Sequence, residues 1–258
     1  MPSHDIASEK RARSPWAWFH RFGSPAYFYR FASRWGPRAG WAALALFAVS
    51  IYLGLFVAPP DYQMGNSYRI IYIHVPTAWM SLFTYVVMAV AAGTGLIWRL
   101  KLSFCLARSC APIGAAFTFC ALVTGSLWGK PTWGTYWIWD ARLTSELVLL
   151  FLYLGYMALE SAIPDRRTAS QAAAVLSLVG LVNIPIIHYS VEWWNTLHQG
   201  STVLRMDGPS IDNRMLVPLL ISAVAMNFYF IAALFSRIQC ELLDSERRTQ
   251  WVREVVNG

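Results

Sequence analysis

The chain has 258 residues, 56% hydrophobic, 15% aromatic and only 14% charged, with a net charge of +7 and a mean hydropathy of +0.40. Water-soluble domains carry about 25% charged residues, so this composition excludes an ordinary soluble globular domain. The apolar residues come in blocks rather than at the period of an amphipathic helix or strand, which indicates an all-α polytopic membrane protein with one integral domain.

Residues 1–40 carry Lys10, Arg11, Arg13, Arg21, Arg30, Arg34 and Arg38 but no apolar core of signal length, so no cleavable signal peptide is expected. They read as a basic cytoplasmic segment, part of it lying on the anionic inner leaflet. A disordered tail is the other reading for the first fifteen residues. Six spans are predicted near 41–59, 74–97, 110–127, 144–162, 171–188 and 215–236, within a membrane domain 41–236 followed by a cytoplasmic tail 237–258. Each is close to the roughly 20 residues that cross about 30 Å of hydrocarbon.

Counting Lys and Arg, the termini and the even-numbered connections (98–109, 163–170) hold sixteen, and the other connections (60–73, 128–143, 189–214) hold five. The positive-inside rule puts both termini in the cytoplasm and these three connections on the outer face. His4 and His20 stay in the cytoplasmic segment, whereas His74, His188 and His198 fall in or at the edges of the outer connections.

The middle outer connection is unusual. Four of the thirteen Trp (Trp128, Trp133, Trp137 and Trp139) and Tyr136 fall between residues 128 and 139. One or two Trp at a helix end would form an interfacial belt. A cluster this dense, broken by Gly129, Lys130, Pro131 and Gly134, reads instead as a platform for a planar ligand. Each ring can bury about 150–250 Å², worth at most about 4–6 kcal/mol.

Neutral imidazole is the usual axial ligand of haem iron. His74 in "YRIIYIHVPTAW" and His198 in "VEWWNTLHQGST" could ligate iron from the two faces of a porphyrin, flanking the Trp platform. His188, in "NIPIIHYS", could be a ligand, a supporting residue or a helix-end residue reaching the interface. Haem propionates call for Arg forks, and Arg69, just ahead of His74, and Arg142, at the foot of the Trp-rich connection, are the candidates. The plainer readings are a headgroup anchor for Arg142 and a helix cap for Asp140, which could otherwise orient Arg142 or an indole N–H. Glu146, one turn into the fourth span, is costly there unless paired. Cys105, Cys110, Cys120 and Cys240 form no C-x-x-C or C-x-x-C-H, and so read as small apolar helix residues.

The stretches "APPDYQMGNSYRIIYIHVP", "ALVTGSLWGKPTWGTYWIWDARLTSELVLLFLYLG" and "NIPIIHYSVEWWNTLHQGST" resemble CcmC, the haem-handling family of the cytochrome c maturation system, over about residues 56–203. The resemblance implies a haem protein of the bacterial inner membrane with a periplasmic haem site formed by its outer loops. It places the axial ligands on His74 and His198, leaving His188, with Trp193 and Trp194, as supporting or structural residues. It also implies that Trp128, Trp133, Tyr136, Trp137, Trp139 and Asp140 hold the exposed edge of a transiently held, non-covalent haem b. The implied partners are the haem chaperone CcmE and the CcmA, CcmB and CcmD proteins, with membrane lipid around them and no nucleic acid. The sequence departs from the pattern at Tyr136, where some relatives have Trp, in a longer N-terminal extension, and after Thr202.

Three functions compete: presentation of haem without turnover, conduction of haem through the spans, and electron transfer as a b-type cytochrome. No Walker motif is present to supply ATP-driven force, so no enzymatic activity is expected.

Overall fold

The computed structural model describes residues 23–194, 196–198, 200, 203 and 208–257. Lys10, Arg11, Arg13, Arg21, Arg205, His4 and His20 lie outside the described residues.

Six helical stretches are long and apolar enough to cross a bilayer: Pro25–Val57, Asn66–Trp98, Lys101–Trp133, Ala141–Ala162, Arg166–Trp193 and Asn213–Ser245. Their helices are α1 (Pro25–Tyr52, extended by a wide π turn Leu53–Val57), α2 (Ile71–Trp98, preceded by a 3₁₀ turn Asn66–Ile70), α3 (Lys101–Trp133), α4 (Ala141–Ala162), α5 (Arg166–Gly180), α6 (Asn183–Trp193) and α7 (Asn213–Ser245). A short α8 (Gln250–Asn257) follows. The fold is all-α, as composition requires.

The helix ends differ from the sequence boundaries, because apolar length marks hydrocarbon thickness whereas caps decide where a helix stops. Residues 25–40 of the basic N-terminal segment already belong to α1, and α3 begins at Lys101 rather than near 110. Arg108 is therefore no loop residue. Its guanidinium donates to Glu160 (2.6 Å), Glu241 (3.1 Å) and Ser170 (2.8 Å), tying α3 to α4, α7 and α5 at one end of the bundle. Arg166 adds 3.0 Å pairs to Glu241 and Asp244. Buried charges of this kind persist because each is paired; removing one partner typically costs about 3–5 kcal/mol.

The fifth span is two helices. α5 ends at Gly180 and α6 starts at Asn183, with Pro185 in its first turn, where a missing N–H is tolerated. α5 packs against α2 and α4, whereas α6 packs against α4. α1 lies along α7, where Gly36 and Gly40 face Phe235 and Ala232, a close approach that small residues permit in lipid. The stretch 237–258, expected as a cytoplasmic tail, is largely helical. α7 runs to Ser245, and α8 folds back with Trp251 5.6 Å from Tyr29 of α1 and Val252 buried. The first and last helices thus begin and end at the same face, as six crossings demand.

Between α2, α3, α4 and α5 the interior is filled. Tyr85, Tyr153, Tyr156, Met88 and Leu149 are fully buried, and a Cβ at Gly114 or Gly180 would collide with Tyr153 or Tyr85. Ser81 Oγ donates to Glu146 at 2.8 Å, and Tyr153 Oη donates to the Ser81 carbonyl at 2.8 Å. These bonds join α2 to α4 just beneath the candidate site.

Candidate functional site

The Trp segment is half helix. α3 continues through Trp128 and Trp133 and stops at Gly134, whose left-handed conformation (φ 79°) returns its N–H to the Lys130 carbonyl at 3.0 Å. Six residues later Asp140 caps α4, its Oδ1 accepting the Leu143 N–H at 2.8 Å. What was expected as a loop over 128–143 is therefore a short connection between two caps.

His74 stands on the fourth residue of α2 and turns toward α3. Its Nδ1 lies 3.0 Å from the Ala121 carbonyl and 3.1 Å from Thr124 Oγ1, whose own proton goes to the Cys120 carbonyl. A carbonyl only accepts, so Nδ1 carries the hydrogen and Nε2 keeps its lone pair free. Gly125 makes the room: a Cβ there would lie 2.9 Å from His74 Cε1. One turn on, a Cβ at Gly129 would press on Trp133 at 2.9 Å.

His198 lies beyond α6 on a non-helical segment, its ring 5.1 Å from Trp133, while His74 packs edge-on against Trp128 at 5.7 Å. Burial, and then the nearby Arg142 guanidinium, push the His198 imidazole down to about 4 against the opposing pull of Asp140. It is neutral at pH 7 and able to coordinate a metal. Its 3.9 Å approach to Asp140 is accordingly not an ion pair.

Both histidines line one cleft that opens to solvent. Trp128, Thr132 and Trp133 of α3, Ile71, Val75, Ala78 and Trp79 of α2, Arg142 of α4, and Met64, Gly200 and Val203 complete it. Arg142 spends one N–H on the Ile187 carbonyl (2.7 Å). The buried indole N–H of Trp128, a residue of the cleft wall, has no hydrogen-bond partner among the described residues. A buried polar atom left without a partner beside a cleft suits a ligand that carries polar groups. The cleft offers two imidazoles, aromatic walls and one guanidinium, a donor set that fits a haem with axial histidines.

The walls of this cleft are mainly helix ends, joined by Met64, His198, Gly200 and Val203 from outside the helices. Other expected residues are not brought to it. Arg69 is committed elsewhere: its guanidinium donates to the carbonyls of Gly54 and Ala58 (3.0 Å for Ala58) and to Asn66 Oδ1 (3.1 Å), fastening the end of the first span to the start of α2. Arg69, expected as a propionate contact, does not line the cleft. Tyr136 lies outside, under Lys130 Nζ at 5.2 Å from its ring centre. Trp137 packs edge-on against Trp139, which is 76% exposed, and neither lines the cleft. His188 is exposed and joins Tyr189, Trp193 and Trp194 in an aromatic row on the outer surface of α6. Asp140 is the helix cap of the plainer reading, and it also accepts a hydrogen bond from Thr196 through Oδ2. Sequence reasoning passed over Gly125, Thr124 and Thr196; the only signal for Thr196 was a hydroxyl two residues before a His.

Compared with known proteins, residues 18–253 match the family model described as Heme exporter protein C. The chain belongs to the heme exporter protein C family. Heme exporter protein C of Escherichia coli (strain K12) is 50% identical over 241 residues, covering 93% of this chain and 97% of that protein. That of Haemophilus influenzae is 47% identical over 238 residues, covering 92% and 97%. A putative cytochrome c biosynthesis ccmC-like mitochondrial protein of Marchantia polymorpha is 46% identical over 190 residues, covering 74% and 79%. The heme exporter protein C match takes in every residue that walls the cleft.

A Gly125→Ala variant probes the packing of His74. Its added methyl should displace the imidazole from the Ala121 carbonyl and lower ligand retention several-fold. Thermal stability in detergent should fall by only about 1–3 kcal/mol, as overpacking does. Unchanged retention would show that the close approach relaxes freely.

Proposed function

We propose that the protein binds haem b in this cleft, with His74 and His198 on the iron, and presents it at the periplasmic face for transfer to the haem chaperone CcmE. The protein acts by holding and orienting its cargo, without turnover, alongside CcmA, CcmB and CcmD. Both termini lie in the cytoplasm of a bacterial cell and the cleft opens on the outer side of the inner membrane. The observation that carries this reading is the convergence, on one cleft, of two imidazoles with Trp128, Trp133 and Arg142. Family membership supports the haem role, and the basic-residue asymmetry supports the orientation.

The filled interior beneath the cleft argues against conduction through the spans. The bonded trio Ser81, Glu146 and Tyr153 floors the cleft, and the Arg108 cluster ties the opposite end. An electron relay across the membrane would need a second centre, and the third described histidine, His188, is exposed on α6.

The test is an absorption spectrum of the purified protein. A low-spin b-type spectrum, with haem extractable by acid acetone, is expected; a protein that purifies and refuses added haem would sink the proposal. Arg142 carries a second test. A guanidinium grips a carboxylate through two parallel N–H bonds, which lysine cannot reproduce. Arg142→Lys should therefore weaken haem retention roughly ten- to hundredfold, the equivalent of about 1.5–3 kcal/mol. Equal retention in the two proteins would assign Arg142 to holding α6 through the Ile187 carbonyl alone.

A further inference from the structure

His198 stands outside any helix, so its own backbone conformation does not aim its ring. Its neighbours do. The His198 backbone N–H donates to Thr196 Oγ1 at 3.0 Å, and that hydroxyl donates to Asp140 Oδ2. Asp140 Oδ1 is meanwhile fastened to α4 through the Leu143 N–H at 2.8 Å. One carboxylate thus joins the start of α4 to the segment bearing His198. The buried Nδ1 of His198, with no hydrogen-bond partner among the described residues, lies 3.9 Å from the same Oδ2, and Trp133 packs on the ring. His74 is supported differently: its Nδ1 faces a neutral peptide carbonyl and a hydroxyl on α3.

We propose that Asp140 and Thr196 form a seat that positions His198, turning Nδ1 to the carboxylate and leaving Nε2 for the cleft. Both are positioning residues, and the inference rests on the haem reading of the cleft only for what His198 then binds. Two consequences follow from the geometry. A carboxylate facing the imidazole N–H makes that ring the more electron-rich of the two axial donors. And Asp140 ends the connection that carries Trp137 and Trp139, so a partner that displaces those exposed rings moves the seat and, through Thr196, the backbone of His198. His74, fixed to the backbone of α3, has no such linkage. His198 is thus the ligand whose hold can be altered from the outer face.

The experiment uses the full-length protein in detergent, first without haem. Diethyl pyrocarbonate modification of His198, read by peptide mass spectrometry, should rise several-fold in Thr196→Val and stay at the wild-type level in Thr196→Ser. Modification of His74 should not change in either variant. With haem added, Thr196→Val should retain several-fold less and Thr196→Ser the wild-type amount. Asp140→Asn still caps α4 but loses the charge, and should raise the reduction potential of the bound haem. His198 equally protected in Thr196→Val and wild type, or a potential unmoved by Asp140→Asn, would overturn the seat. Should Thr196→Val not accumulate in membranes, Thr196→Ala carries the same readout. If the wild-type protein takes up no haem, the haem reading fails by itself, and the modification pattern still decides the seat.

Discussion

Replacing either His74 or His198 by glycine is expected to strip most haem from the purified protein, with a fall of about tenfold or more in haem per chain. In the proposed site each imidazole would contribute one of two axial bonds, and a tenfold change corresponds to about 1.4 kcal/mol, a small part of what a metal–nitrogen bond supplies. The two variants should differ in how far added imidazole restores the spectrum. The space left at His74 stays walled by Trp128 and Gly125, and the Ala121 carbonyl remains to hold the Nδ1 hydrogen of a free imidazole. Recovery there should be nearly complete at millimolar imidazole. At His198 the side chain sits on a non-helical segment, and glycine adds freedom to the backbone that Thr196 must hold. Recovery there should be partial. If both variants keep a wild-type spectrum without imidazole, the ligands lie elsewhere, and the exposed His188 becomes the residue to replace next.

This asymmetry also marks where sequence alone stopped. The six spans were legible because a bilayer demands some twenty apolar residues in a row, and the chain supplies six such blocks. Their ends were not, because they depend on caps and pairings outside the apolar blocks. Gly134 and Asp140 were both visible as cap-forming residues, yet Trp density drew attention to the segment as a loop. Arg108 looked like a positive-inside loop residue until its partners Glu160 and Glu241, 52 and 133 positions away, closed on it. Arg69 was unreadable for the same reason, since its acceptors are backbone carbonyls of the preceding span. The choice between His188 and His198 was left open by residue chemistry, and helix phase explains why. One residue is a turn of about 100° on α6, so the buried Ile187, whose carbonyl meets Arg142, leaves His188 on the exposed side.

The end of α3 at Gly134 divides the Trp cluster into two groups that should respond differently to truncation. Trp133 lines the cleft and packs on the His198 ring, whereas Trp139 is 76% exposed, packs on Trp137 and does not line the cleft. Trp133→Ala removes apolar wall and the support of a ligand together. Large-to-small changes of this kind cost about 3–5 kcal/mol in a packed site, so haem content itself should fall at least tenfold. Trp139→Ala removes little buried area and leaves both histidines and Arg142 in place, so haem per purified chain should stay within about twofold of wild type. Its effect belongs to transfer. A haem edge must meet an acceptor at near-bonding distance, and loss of an exposed ring that guides the approaching partner relaxes that alignment, which can cost about a hundredfold in rate for a shift of about 1 Å. The measurement is paired: haem per purified protein, and haem-stained CcmE from the same cells. Trp133→Ala should lower both in step, and Trp139→Ala should lower the second alone. A Trp139→Ala protein that loads CcmE at the wild-type level would reduce the exposed rings to an interfacial anchor and leave presentation to Trp128, Trp133 and the two histidines.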